Sequence, residues 1–441
     1  MTNTRSQPET TAVPTSQPSP GNFRWVILTI LFGATTINYI DRFLLGVLKP
    51  TIVQDMHWTE TDYANVVFCF QLAYAIGLLF VSRLIDRIGV RAGLALVVGM
   101  CAVATASHSL VSSAMGFCLA RFALGFGEAG TWPGCVKTIG EWFPKKERAL
   151  GNGVINAGSS VGATVTPLVV PVILKLVAWP LTFLFTASLD VIWFCVWLIF
   201  YRTPDKHPWL KKSELAYIRS DVNPPTGNVS WLQLFRHRQT WAFLMAKGLS
   251  DPVWWFFLFW IPGFLAKQYN LASGSAAHSA EAMALPVMVI YIMASGGSIG
   301  GGWLSMRLIS RGWSVNAARK TVMLGCALCV VPVFTVLYPI GLWPSVLLIG
   351  LAAAAHLGFS ANLFTVATDT VPKQAVGSVA GIGGLAAAVF AMFNAKLVGF
   401  VLDKTHSYAI PFIIASSSYL VALGILHLLL PKLEPMKLEE S

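Results

Sequence analysis

The sequence of 441 residues predicts an all-α membrane protein with twelve transmembrane helices in two six-helix halves. Hydrophobic residues make up 55% and charged residues only 12%, and the mean hydropathy is +0.64. A soluble domain carries about 25% charged residues, so this chain has too few charges to face water on all sides. Apolar stretches of membrane-spanning length recur along the chain, and one charged stretch divides them into two sets.

Each predicted span is a stretch of about 20 mainly apolar residues, the length that a helix needs to cross a bilayer core. In the first half the spans lie near 24–48, 62–84, 91–111, 114–136, 148–172 and 178–201. In the second half they lie near 239–266, 283–309, 319–338, 344–368, 374–402 and 409–430. We therefore predict a disordered cytoplasmic tail at 1–22, an N-terminal half at 23–201, a cytoplasmic linker at 202–238, a C-terminal half at 239–431 and a cytoplasmic tail at 432–441.

The lysines and arginines predict the orientation of these spans. With the N-terminus inside, roughly 22 of the 31 fall in cytoplasmic segments and about 4 fall outside. Positive residues are enriched on the cytoplasmic side of membrane proteins, so we expect both termini and the linker in the cytoplasm. The same bias explains the net charge of +11 without a nucleic-acid partner, because the basic residues form short clusters between apolar runs.

Other classes of function lack their characteristic patterns. Cys326 and Cys329 have CxxC spacing, but no second pair or histidine cluster accompanies them, so we interpret them as packing residues. The sequence has no nucleophile with a base, no metal-ligand spacing and no nucleotide-binding loop. We expect no enzyme activity, no metal and no cofactor. The first 22 residues lack the apolar core of a cleavable signal peptide.

A weak internal repeat supports two related halves. SRLIDRIGVRAG begins at Ser82 after the second span, and GWLSMRLISRGW begins at Gly302 after the eighth. Two parallel halves with a binding site between them are a recurring plan among membrane transporters.

The loop at 82–91 (SRLIDRIGVR) resembles the G-x-L-x-D-R-x-G-R-K loop of the major facilitator superfamily. Ser82 and Val90 depart from that pattern. In that superfamily the loop acts as a cytoplasmic gate between the halves, and the resemblance implies this role for four matching residues: Asp86, Arg87, Gly89 and Arg91.

Longer motifs narrow the resemblance. NYIDR (38–42), RFALGFGEAGTWP (121–133) and EWFPKKERALGNGVINAG (141–158) resemble the anion:cation symporter family of that superfamily. DPVWWFFLFWIPGFL (251–265) and DTVPKQAVGSVAGIGGLA (369–386) resemble its bacterial hexuronate transporters. The resemblance implies the major facilitator fold and proton-coupled uptake of glucuronate or galacturonate by alternating access, in the inner membrane of a bacterium.

Four charged residues in the first and fourth spans are the main candidates for a site: Asp41, Arg42, Arg121 and Glu128. A charge at the bilayer centre costs about 2.5–3.5 kcal/mol by insertion scales, so these groups must pair or line a wet cavity. Arg121 and Glu128 are seven residues apart, two helical turns, and share one helix face. One alternative is that they form two ion pairs that only hold helices together.

The two signs of charge have different chemical uses. Arginine binds a carboxylate through two parallel hydrogen bonds but does not release a proton, which makes Arg42 or Arg121 the substrate anchor. Asp41 and Glu128 can carry a proton, and the resemblance implies the same role for them. Burial favours the protonated form of a carboxyl group and a neighbouring guanidinium favours the ionised form, so substrate bound at the arginine shifts the balance.

Further substrate-binding candidates are polar or aromatic residues within the spans: Tyr74, Asn156, Ser159, Trp254 and Trp255. Tyr74 and Asn156 can bind the carboxylate or hydroxyls of a sugar acid, and the two tryptophans can stack on its ring. Packing is the alternative for each. Asn362 and Asn394 are weaker candidates, and Asp190, Lys396 and His356 receive no role.

Glycines on the fourth and fifth spans predict close helix packing: Gly125, Gly127, Gly130, Gly134, Gly153, Gly158 and Gly162.

The sequence thus predicts a monomeric hexuronate–proton symporter, with sodium left open as the driving ion. A symporter of another organic anion, such as an aldonate or aldarate, and a non-transporting sensor of such anions remain alternatives.

Overall fold

The computed structural model describes residues 21–220, 231–271, 276–372 and 375–436, and within these ranges the chain is helical with no β-strand. The predicted tail at 1–22, apart from its last two residues, lies outside the described residues. The same holds for residues 437–441 of the other predicted tail and for 221–230 of the linker.

The first half contains seven helices. They are α1 (Phe23–Asp55), α2 (Glu60–Ile88), α3 (Val90–Ser107), α4 (Ala114–Glu128), α5 (Thr131–Trp142), α6 (Lys145–Leu176) and α7 (Trp179–Phe200). The linker that follows is not merely a charged loop, because it carries two short helices, α8 (Lys212–Ile218) and α9 (Trp231–Leu234).

Six long helices make up the described part of the second half. They are α10 (Arg238–Gln268), α11 (Ala276–Ser310), α12 (Val315–Val330, continued by a 3₁₀ turn at Val331–Leu337), α13 (Leu342–Thr370), α14 (Val376–Thr405) and α15 (Ala409–Leu429). In the described part of the chain, eleven helices are long and apolar enough to cross a membrane. The fourth predicted span is divided between α4 and α5.

The break between α4 and α5 falls at Ala129 and Gly130, directly after Glu128. The amide of Gly130 donates to the carbonyl of Gly127, which tightens the last turn of α4. Glycine also lets α4 approach α2 closely, since a Cβ on Gly125 would lie 2.3 Å from the carbonyl oxygen of Phe70. The buried charges of α4 are therefore held directly against their neighbouring helices.

The prediction that glycines allow close helix packing is confirmed at two of the three predicted positions of α6. A Cβ on Gly158 would lie 2.2 Å from the Thr35 hydroxyl of α1. A Cβ on Gly162 would lie 2.3 Å from the Thr36 carbonyl oxygen of the same helix. Gly153, in contrast, faces open space. The prediction of close packing was wrong for Gly153, because sequence spacing alone does not show which face of a helix meets a partner.

The linker packs on the N-terminal half. Glu214 of α8 accepts hydrogen bonds from the backbone amides of Phe23 (3.1 Å) and Arg24 (3.0 Å) at the start of α1. The buried Arg24 side chain also pairs with Glu147 of α6 (2.9 Å). We call this end of the bundle the linker end and the opposite end the far end.

The two halves meet through several polar contacts at the far end. The Tyr63 hydroxyl of α2 donates to the Phe259 carbonyl of α10 (2.8 Å). The carboxylate of Asp403, near the end of α14, accepts from the amides of Glu60 (2.9 Å) and Thr61 (2.8 Å) at the start of α2. This carboxylate satisfies amides that have no partner within their own helix.

Candidate functional site

A buried ion pair joins α1 to α4 in the N-terminal half. The Arg42 Nε and Nη2 atoms donate to Glu128 Oε2 at 2.8 and 2.6 Å. Arg42 is 6% exposed and Glu128 is 2% exposed. Both donors bind one carboxylate oxygen, and the other oxygen, Oε1, has no partner among the described groups. The pair therefore has an unused acceptor beside a planar guanidinium.

Four aromatic rings surround the Arg42 guanidinium and form what we call the aromatic cage: Tyr39, Phe70, Tyr74 and Trp255. Their centroids lie 5.0, 5.6, 5.1 and 5.1 Å from the central carbon of the guanidinium. Cation–π contacts contribute about 0.5–1 kcal/mol each at exposed sites and about 2 when desolvated. Trp255 belongs to α10, so the cage is built from both halves.

Arg121 has no ionic partner in the described structure. The residue is fully buried, and Nη1 donates a long hydrogen bond of 3.4 Å to the peptide carbonyl of Asp41. Its Nε and Nη2 atoms have no hydrogen-bond partner among the described residues. Buried donors without partners are costly, which makes this guanidinium a place where an anion would be stabilised.

The four predicted charges therefore come together, but not as two ion pairs. Arg42 pairs with Glu128 across two helices, while Arg121 lies against the backbone of Asp41. The Asp41 carboxyl faces a different neighbour, the carboxyl of Asp190 on α7. Asp190 received no role from the sequence, since a lone acid in an apolar span does not identify its partner.

The other predicted binding residues divide into two groups. Tyr74 and Trp255 line the aromatic cage. Trp254 instead stacks on His356 at 5.1 Å in the C-terminal half. Asn156 is exposed on α6, and the Ser159 hydroxyl donates to the Asn156 carbonyl (2.6 Å) within the same helix.

Three polar residues of the C-terminal half have local partners. His356 Nδ1 lies 2.8 Å from the Tyr419 hydroxyl. The Asn362 amide donates to two backbone carbonyls of its surroundings at 3.1 and 2.9 Å. The Asn394 amide donates to the Pro252 carbonyl at 3.4 Å. These bonds fit the packing alternative for each residue.

A largely buried charge pair in α10, Lys247 with Asp251, was not predicted from the sequence. Lys247 Nζ lies 2.6 Å from Asp251 Oδ2 on α10, and the same ammonium lies 4.6 Å from the centroid of the Phe364 ring. The side chains are 10% and 16% exposed. Opposite charges at i and i+4 in an apolar span are the sequence signal that marks such a pair.

The predicted gate residues lie in the turn between α2 and α3. Asp86 pairs with Lys137 of α5, and Arg91 Nη2 donates to the Leu198 carbonyl of α7 (2.7 Å). Gly89 has φ of +82°, a conformation that L-residues with a side chain rarely adopt, and Arg87 is exposed. The described bonds of Asp86 and Arg91 are made within their own half.

Within the described residues no group of three or more His, Cys, Asp or Glu side chains is placed to hold a metal ion.

The family assignment follows from comparison with known proteins. Residues 31–393 match the model of the Major Facilitator Superfamily. The chain belongs to this superfamily. The fold of the chain is similar to that of a solved structure, a bacterial homologue of the human lysosomal transporter Spinster. The two structures align with a TM-score of 0.67 at 17% sequence identity. That alignment covers 94% of this chain and 96% of the homologue.

Several transporters of the superfamily resemble the chain over most of its length. The hexuronate transporter of Escherichia coli K12 is 28% identical over 388 residues, which cover 86% of this chain and 88% of the relative. The galacturonate transporter of Dickeya chrysanthemi is 30% identical over 317 residues, or 70% of this chain and 90% of the relative. A probable L-galactonate transporter of E. coli K12 is 28% identical, covering 88% and 85%. The chain is therefore a multi-pass membrane transporter related to carriers of sugar-acid anions.

Proposed function

We propose that this protein imports hexuronate anions, glucuronate or galacturonate, by proton symport with alternating access. The observation that carries the proposal is the Arg42 guanidinium, which is held by the Glu128 carboxylate inside an aromatic cage built from both halves. A guanidinium that binds an internal carboxylate presents the geometry that a substrate carboxylate also requires. The relatives that are named hexuronate and galacturonate transporters support the same substrate class.

The ion pair supplies a rule that couples substrate to protons. While Glu128 is ionised it occupies the donors of Arg42, and when it is protonated it loses its charge and releases them. The substrate carboxylate then takes its place at Arg42, and loss of the proton restores the internal pair and expels the substrate. Arg121, with two donors unused, is the second anchor in this scheme.

The rest of a sugar acid requires both stacking and hydroxyl recognition. Tyr74 and Trp255 present aromatic faces beside Arg42, and a pyranose ring has an apolar C–H face that packs on such surfaces. Asn156 and the Lys247–Asp251 pair supply donors and acceptors for hydroxyl groups. We assign these residues to the sugar part of the substrate. For Trp254 and Ser159 a substrate contact stays a sequence prediction, and we add no further role for them here.

Alternating access is supported by the position of the contacts between the halves. At the far end, the Tyr63 hydroxyl and the Asp403 carboxylate each bind a backbone group of the other half. Lys175 of α6 also pairs there with Glu281 of α11 at 2.9 Å. We propose that this is the state closed toward the cell exterior, in the inner membrane of a bacterium, with both termini and the linker in the cytoplasm. The gate residues Asp86, Arg87, Gly89 and Arg91 would then engage the C-terminal half only in the opposite state.

The experiment that tests this function is transport by the purified protein in proteoliposomes without sodium. Labelled galacturonate should enter liposomes preloaded with unlabelled galacturonate, and an imposed pH gradient, acidic outside, should drive its accumulation. For one proton per monoanion, a gradient of one pH unit supports about tenfold accumulation, since about 1.4 kcal/mol corresponds to tenfold. Empty liposomes are the control.

The outcomes separate the alternatives. If galacturonate is exchanged but accumulates only under a sodium gradient and not under a pH gradient, sodium is the driving ion instead of the proton. Binding of hexuronate without any exchange would identify a sensor. Neither result is compatible with the proposal.

A second candidate function is symport of an aldonate, which the likeness to a probable L-galactonate transporter favours. Aldonates share the carboxylate but have an open chain instead of a ring. Competition of unlabelled galactonate and galacturonate for labelled galacturonate uptake distinguishes them, and stronger inhibition by galactonate would favour the second candidate.

A further inference from the structure

Asp190 is positioned against the first helix by close packing of α7 on α1. One turn further along α7, the Trp193 indole Nε1 donates to the Ile30 carbonyl of α1 (2.7 Å). The same indole packs beside Gly33, where an added Cβ would already be in van der Waals contact at 3.5 Å. This contact fixes the rotation of α7 and directs Asp190, 3% exposed, toward Asp41, 2% exposed.

The two carboxyl groups lie within hydrogen-bonding reach of each other. Asp41 Oδ1 and Asp190 Oδ2 are buried, and neither accepts a hydrogen bond from any described group. Both residues line a small cavity of about 10 Å³, which has room for one water molecule. The polar groups of Asn38 and Thr131 line the same cavity.

We propose that Asp41 and Asp190 form a carboxyl pair that holds the coupling proton between them. Two ionised carboxylates in contact in an apolar surrounding repel each other strongly, and the hydroxyls of Thr105 and Thr186 that also face Asp41 carry no charge to offset this repulsion. One proton placed between them converts the repulsion into a hydrogen bond and satisfies both unused oxygens. Only an O–H bond is made or broken: the proton comes from the medium on one side and is released on the other.

The surrounding charges connect this pair to the substrate anchor. The titratable groups that face the pair from the packed helices are Cys101 of α3 and Glu128 and Arg121 of α4. Arg121 already touches the Asp41 carbonyl, and two of its donors are unused. When the pair loses its proton, its second negative charge attracts these donors and withdraws them from the substrate. When the proton is bound, the donors of Arg121 are available to the substrate carboxylate.

This inference rests on the proposed function. The sequence prediction names Asp41 and Glu128 as the proton-coupling acids, and the inference adds Asp190, on a third helix, as the partner of Asp41. The test compares Asp190→Asn with the wild type in proteoliposomes. The amide keeps the shape of the side chain but cannot share a proton as an acid. We expect exchange of galacturonate to persist, while accumulation driven by one pH unit falls from about tenfold to none.

A matched control is Asp205→Asn, which removes an acid from the exposed Asp205–Arg219 pair of the linker. It should accumulate galacturonate like the wild type. If Asp190→Asn also accumulates like the wild type, with an unchanged pH profile, the shared proton is refuted. If the wild type itself shows no pH-driven accumulation, the proposed function fails instead, so the two failures are distinguishable.

A spectroscopic measurement keeps the inference testable if the variant does not exchange substrate. A shared proton gives the detergent-purified wild type an infrared band of a protonated carboxyl group at neutral pH that shifts in deuterium oxide. The band should be lost or displaced in both Asp41→Asn and Asp190→Asn and should persist in Asp205→Asn. A spectrum in which Asp190→Asn leaves the band unchanged would overturn the assignment.

Discussion

Replacing Glu128 with glutamine removes one negative charge from the buried pair that joins α1 and α4. The amide occupies nearly the same volume, and its oxygen can still accept a hydrogen bond from Arg42. The aromatic cage still holds the guanidinium, since its four rings contact Arg42 independently of Glu128. The variant therefore imitates the protonated state of Glu128 while the arginine stays in place.

The expected magnitude follows from the two bonds that the substrate must displace. Arg42 donates to Glu128 Oε2 at 2.8 and 2.6 Å. A hydrogen bond to a charged group contributes a net stabilisation of about 1.5–3 kcal/mol. If the substrate must displace bonds that are weaker by about 2 kcal/mol in the variant, hexuronate should bind about 30-fold tighter. The gain applies at alkaline pH, where Glu128 of the wild type is ionised, and it disappears at acidic pH.

The assay is isothermal titration of purified protein with galacturonate at acidic and at alkaline pH, followed by transport in proteoliposomes. Glu128→Gln should bind tighter than the wild type at alkaline pH, exchange substrate and fail to accumulate it under a pH gradient. Glu434→Gln, in an exposed pair with Arg238, is the matched control. Weaker or unchanged binding by Glu128→Gln at alkaline pH would refute the competition between Glu128 and substrate.

Three further predictions concern the anchor, the packing and the far end. Arg121→Lys keeps the charge but loses the planar fork, so galacturonate affinity should fall about tenfold; unchanged affinity in titration would remove Arg121 from the site. Gly162→Ala places a Cβ 2.3 Å from the α1 backbone and should lower stability in a thermal melt by about 1–3 kcal/mol, whereas Gly153→Ala, in open space, should not. Asp403→Asn weakens the hydrogen bonds to the amides at the start of α2, and the contact between the halves at the far end should lose about 0.5–2 kcal/mol of stabilisation. Spin labels on α2 and α14 should then report wider far-end distances, and an unchanged distribution would contradict that role.

The membrane architecture was predictable because it depends on local composition. A span needs only enough consecutive apolar residues, and the linker interrupts that pattern with charges, so the two halves are visible without any tertiary contact. The break in the fourth span was missed, because the turn at Ala129 and Gly130 leaves the apolar run continuous. The burial of the four charges of the first and fourth spans was equally predictable, since any charge within an apolar span is conspicuous.

Tertiary structure alone decided which of these charges meet. Arg121 and Glu128 share a face of α4, yet Arg42 of α1 takes the Glu128 carboxylate and leaves Arg121 without an ionic partner. Adjacent residues on a helix point about 100° apart, so the sequence could not show that Trp255 joins the aromatic cage while Trp254 stacks on His356.

The sequence by itself thus determined the class of the protein, its division into halves and the charged residues of the first and fourth spans. The pairing of those charges, and the contact of Asp41 with Asp190, were decided only when α1, α4 and α7 packed together. The physical reason is that hydrophobicity is a property of each segment, whereas an ion pair or a shared proton depends on the rotation and depth of two helices.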